Sequence, residues 1–166
     1  MRKKLAKLSF LTATILLFFS CERDDICPEA TITTPKLVIE FFDINNPENP
    51  KNVRNLTIRE IEKDTAILFN STSTISVPLK TDAIESRYVF NLNALADSGG
   101  LTDTLTFSYA TEELYVSRAC GFKANFIDFR TRLENSETTT DNWIKDILVR
   151  ENTIENELET HLYIYY

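Results

Sequence analysis

SRYVFNL at residues 86–92 and DTLTFSY at residues 103–109 decide the fold class. In the first, Tyr88, Phe90 and Leu92 fall on one face of an extended chain. In the second, Leu105, Phe107 and Tyr109 alternate with threonine and serine. A period of two sorts side chains onto the two faces of a strand, whereas a helix needs apolar residues three and four apart. Both stretches therefore predict half-buried strands.

The neighbouring segments repeat the theme. KLVIEFFD (36–43) is a β-branched and aromatic run, ended by the turn-rich INNPENPKN (44–52) with Pro47 and Pro50. VRNLTIREIE (53–62) alternates through Leu56 and Ile58, and residues 66–70 and 73–77 give two short strands closed by Pro78. Residues 93–100 predict a loop with at most one helical turn, stopped at Gly99. ELYVSRAC (113–120) and FKANFIDFRT (122–131) predict two more strands, the second with Phe122, Ala124 and Phe126 opposed to Lys123 and Asn125. Residues 133–142 are a polar connection.

The last quarter admits two readings. Trp143, Ile147, Ile154, Leu158 and Leu162 fit a helical stripe, but ILV at 147–149 and HLYIYY at 161–166 are β-type. Two strands with a turn near Glu151 and Asn152 are expected. In total eight or nine short strands and no long helix predict an all-β fold, a two-sheet antiparallel β-sandwich occupying residues 36–166 as one domain. A terminal aromatic such as Tyr166 also occurs on outer-membrane barrel strands. These strands are too short for a barrel and carry Lys123, Asp128 and Arg130 where lipid would lie.

The chain starts differently. Arg2, Lys3, Lys4 and Lys7 precede an apolar run of 12 residues from Leu8 to Phe19, followed by Ser20 and Cys21. A bilayer-spanning helix needs roughly 20 apolar residues, so residues 1–20 predict a removable lipoprotein signal peptide with Cys21 as the lipid attachment site. The alternative is cleavage elsewhere, leaving Cys21 an ordinary thiol. Several acyl chains on one residue give stable membrane anchoring, which a single chain does not. Residues 21–35 then form a lipidated tether, whose Glu22, Arg23, Asp24 and Asp25 serve either as a surface-export tag or as plain solvated linker.

Losing residues 1–20 removes four of 18 basic residues and none of 25 acidic ones, so the net charge moves from −7 to −11. Like charge disfavours nucleic acid and anionic headgroups as partners. Three glycines leave nothing from which to build a P-loop or dinucleotide fingerprint. With Cys21 assigned to lipid, Cys27 and Cys120 remain, and in an oxidising compartment an even pair predicts a disulfide joining the tether to a central strand. Two buried free thiols are the alternative. Zinc fits poorly, because it wants four ligands and the chain has one histidine.

That histidine, His161, follows Glu157 and Glu159 on the same face of an expected strand, with no nucleophile elbow anywhere, and predicts a solvated cross-strand partner rather than a catalyst. The acidic groups Asp24/Asp25, Glu112/Glu113 and Glu155/Glu157/Glu159 have no EF-hand spacing and predict a solvated face. Tyr163, Tyr165 and Tyr166 suit core or rim packing, with stacking on sugar rings the functional alternative. The sequons at Asn55 and Asn70 read as chance matches. No catalytic residue, metal or cofactor is expected.

Cys21, Cys27-Pro28, the PKLVIEFFD and DTLTFSY strands and YVSRACGF, in that order, resemble an uncharacterised family of small Bacteroidetes envelope lipoproteins, a domain of unknown function. The resemblance implies an envelope protein in which Cys27 and Cys120 pair, and implies no activity. The expectation is a non-enzymatic binding or structural accessory, anchored in the bacterial outer membrane at its periplasmic face or the cell surface. Its partner would be an envelope protein or a glycan, presented to loops 44–52 and 132–142. Two alternatives stand beside it: a pilin-like assembly subunit exchanging its C-terminal strand, and an envelope hydrolase using carboxylates in a cleft.

Overall fold

The computed structural model describes residues 26–134 and 142–166. The signal segment and Cys21 lie outside the described residues, as does most of the 132–142 connection. Among the described residues every regular element is a strand: β1 (Leu37–Asp43), β2 (Asn46–Pro50), β3 (Leu56–Glu60), β4 (Ala66–Phe69), β5 (Thr74–Val77), β6 (Glu85–Leu92), β7 (Leu101–Ser117), β8 (Gly121–Glu134), β9 (Asp146–Val149) and β10 (Leu162–Tyr165). They form two five-stranded sheets, an all-β sandwich. Ile32–Tyr115 with Phe122–Tyr166 forms one compact unit, which holds both sheets' core. Residues 26–31 with Val116–Gly121 form a second.

One sheet runs β4-β3-β6-β7-β8. Its pairing puts Tyr88 opposite Leu105 and Ser86 opposite Phe107, so the alternation of 86–92 and 103–109 lies in register across two antiparallel strands. The other runs β2-β1-β10-β9, with β5 also on β1. β1 is flanked by β5 along its first half, by β2 at its end, and by β10 on the other side in parallel, Ile39 opposite Leu162 and Phe41 opposite Ile164. Leu37, Ile39 and Phe41 meet Leu56, Ile58, Phe90 and Phe107 in a common core.

Several expectations need correction. The described residues hold ten strands, one of them residues 46–50, which pair with β1 despite two prolines. A sheet edge leaves their missing N–H groups facing away from the ladder, so the strand survives there. Residues 101–117 form one long strand rather than two. Cys120 lies in the turn between β7 and β8, not on a central strand. Phe122 is exposed rather than inward-facing. Farther along β8, Asp128 takes a left-handed φ of 55°. That left-handed residue interrupts the period of two, and Phe126 and Phe129, three apart, are both buried in the core.

The β9–β10 connection also works as a cover. Phe126 and Ile154 exchange backbone hydrogen bonds of 3.0 and 2.7 Å, and Phe129 N–H donates to the Asn152 carbonyl. The connection thus lies along β8, satisfying polar groups that a bare edge would offer to another chain.

Candidate functional site

Strand alternation dictates that β1 turns Leu37, Ile39 and Phe41 inward and Val38, Glu40 and Phe42 outward. Its parallel partner β10 does the same, with Leu162 and Ile164 inward. Tyr163 then stands beside Glu40, and Tyr165 beside Phe42. Tyr163 and Tyr165 lie 4.7 and 5.6 Å from the Phe42 ring, centroid to centroid. Phe42 is 8% exposed, because the two half-buried tyrosines flank it.

β9 completes this surface by bringing Leu148 opposite Tyr163 and Asp146 opposite Tyr165. The Arg150 guanidinium sits 5.2 Å from the Tyr163 ring centre, in cation–π range. A shallow, open depression lined by Ile44, Pro47, Asp146, Ile147, Leu148 and Tyr165 adjoins the strip. At the other end Thr160 and Glu40 approach to 3.5 Å. The result is an outward Tyr–Phe–Tyr strip with carboxylates on both flanks and a cation at one end. Flat rings take the C–H face of an apolar or sugar ring, and the carboxylates accept hydrogen bonds from hydroxyl groups.

Tyr166 belongs to the opposite face. Its ring packs edge-on against Phe41 and Trp143, 6.1 and 5.5 Å away, and burial pushes its phenol pKa up. Lys51 Nζ lies 4.2 Å from the centre of that ring.

His161 is not the solvated residue its acidic neighbours suggested. It is 2% exposed, and Nδ1 accepts the Val38 N–H at 3.0 Å while the His161 backbone N–H donates to the Val38 carbonyl. Burial lowers its pKa, against opposing contributions from the Asn156 backbone and from Glu151, Glu159 and Glu157. A neutral imidazole with a committed Nδ1 is a structural hydrogen-bond acceptor.

A second polar group lies around the β5–β6 connection. Lys80 Nζ bridges Glu60 at 2.5 Å and Glu62 at 3.1 Å, which raises its pKa and holds it as ammonium. Ser86 Oγ accepts the Lys80 N–H at 2.9 Å and pairs with the Tyr109 hydroxyl at 2.5 Å. Tyr109 in turn donates to the Lys80 carbonyl. Burial raises the Tyr109 pKa and pushes Tyr88 up to about 12, so neither phenol serves as a base for Ser86 at neutral pH. The adjoining depression, lined by Thr81, Asp82, Ala83, Ile84, Thr111 and Glu113, is wide open to solvent. Glu134, paired to Arg87 and accepting from Thr106, is held below the usual carboxylate range, opposite to the shift a carboxylic acid catalyst requires. No group of three or more His, Cys, Asp or Glu side chains with metal-binding geometry occurs among the described residues.

Cys27 and Cys120 are joined by a disulfide, 93 residues apart in sequence. Of the tyrosines singled out at the end of the chain, the structure brings Tyr163 and Tyr165 together and sends Tyr166 inward. Phe42 and Arg150 were not expected at such a site. The outward position of Phe42 in KLVIEFFD was the available signal, since Phe41 and Phe42 on a strand must face opposite ways.

No curated protein and no solved structure matches the chain. The family of unknown function (DUF6452) matches residues 55–166, from the start of β3 through β10. That span covers two thirds of the sequence, most of the sandwich and both tyrosines of the outward strip, and the chain belongs to this family.

Proposed function

We propose that the protein is a lipid-anchored, non-enzymatic binding accessory of a bacterial outer membrane, taking a neutral glycan on the outer face of the sheet that pairs β1 with β10. The anchor rests on the order of basic residues, apolar run, Ser20 and Cys21. The glycan rests on one observation, the Tyr163–Phe42–Tyr165 strip with Glu40 and Asp146 beside it. An acidic chain favours uncharged sugars over uronic acids or phosphates on this surface.

The test is binding to an array of neutral oligosaccharides, followed by titration calorimetry on the hits with Tyr163→Ala and Tyr165→Ala. Each ring contributes about 1 kcal/mol, so the double variant is expected to weaken binding by roughly tenfold or more. Its melting temperature should stay close to that of the parent, because neither side chain is in the core. Unchanged affinity in the double variant removes the glycan reading.

A further inference from the structure

Tyr115 near the end of β7 and Phe122 at the start of β8 pack edge to face with centroids 5.4 Å apart, yet are 64% and 67% exposed. Two large aromatic rings that hold each other while facing water are a costly surface feature with no partner among the described residues. Residues 114–123, LYVSRACGFK, carry Arg118 and Lys123 and no acidic residue, in a chain whose overall charge is strongly negative. Along the covalent chain, Phe122 is two residues from Cys120, and Cys120 is bonded to Cys27. Ile26, immediately before Cys27, is 75% exposed.

We propose that Tyr115 and Phe122 form a contact with the lipid headgroup region of the membrane, turning the end of the β7–β8 hairpin toward the bilayer. The argument rests on acylation of Cys21, as proposed above. Cys27 lies six positions after Cys21, so fully extended chain keeps the disulfide within about 20 Å of an acylated cysteine. Aromatic side chains partition to the membrane–water interface, their rings among the headgroups. Arg118, between the two rings in sequence, supplies a cation for headgroup phosphates on an apolar stem suited to the interface, while Lys123 Nζ donates to the Glu155 carbonyl. A local positive charge and paired aromatics within tether reach of the anchor fit a lipid surface, where the acidic remainder of the molecule does not.

The experiment uses full-length Phe122→Trp protein purified from its membrane and reconstituted in vesicles of phosphatidylethanolamine and phosphatidylglycerol, with or without brominated lipid. The native Trp143 is buried in the core and provides the background in the parent protein. The added indole is expected to emit blue-shifted light and lose roughly half its intensity to brominated lipid, while the parent signal holds. Intact mass of the same sample reports on Cys21 separately. An unquenched indole on acylated protein overturns the hairpin contact and leaves the anchor standing. A concentration-dependent dimer lost on Phe122→Ser would then assign the pair to a second copy of the chain. Quenching without acylation supports the hairpin contact and removes the anchor. Absence of both overturns the two together.

Discussion

His161 shows how one side chain ties pH to stability. Its Nδ1 accepts from Val38 N–H, so protonation both buries a charge and turns an acceptor into a donor facing a donor. The folded pKa is lowered, so the unfolded chain binds the proton more readily. The contribution is complete above the ordinary value of 6.5 and is lost as pH falls below it toward the folded value. Glu134 follows the same sign but only below its ordinary 4.5, which separates the two windows. Urea midpoints measured across this range should therefore fall first as pH drops below 6.5, through His161. His161→Asn, whose amide oxygen accepts in place of Nδ1 without titrating, should flatten that first fall. His161→Ala should cost about 3 kcal/mol at neutral pH, through the cavity and the orphaned Val38 N–H.

The turn between β6 and β7 offers a sharper contrast at the level of elements. Gly99 and Gly100 both take positive φ, 83° and 80°. A Cβ on Gly99 would meet nothing, whereas one on Gly100 would collide with the Asn91 side chain and stand 2.5 Å from the Leu92 carbonyl. Gly99→Ala should cost about 1 kcal/mol of backbone strain, and Gly100→Ala about 3 kcal/mol or more, since backbone must move to admit it. Denaturant titration of the two variants side by side checks the ordering. Elements such as β6 and the first half of β7 were legible because Tyr88, Phe90, Leu105 and Phe107 repeat every second residue and the tertiary structure keeps that period. β2 was not, because Pro47 and Pro50 signal a turn unless the strand is known to lie at an edge. The left-handed Asp128 was equally hidden: nothing local says that Phe126 and Phe129 are both buried. The long β7 looked like two strands because Ala110, Thr111 and Glu112 interrupt its apolar period while its backbone stays extended. The tyrosine strip was half legible, since HLYIYY gives the alternation but not its parallel neighbour, and Phe42 joins it from more than a hundred residues away.

Across the whole molecule, the longest-range covalent constraint is the Cys27–Cys120 bridge. Closing a loop of 93 residues removes unfolded-state entropy on the order of 4–5 kcal/mol, an upper figure. Cys27→Ser/Cys120→Ser protein should thus unfold at a guanidinium midpoint lower by about 1 M, with its sheets unchanged by circular dichroism. A midpoint equal to the parent's would mean that the bridge acts locally. The non-covalent counterpart of that constraint is β10, lodged between β1 and β9, with Val38 and His161 paired across 123 residues. Contacts between distant segments form late, because loop closure must be met before they give anything back. The β6–β7 and β7–β8 neighbours are local and able to assemble as soon as they exist. β1, although it precedes them in the chain, stays without a partner on one flank until residues 162–165 are made. A partly synthesised chain therefore carries one nearly finished sheet and a second, β1 with β2 and β5, that stays open along one flank until β10 is available.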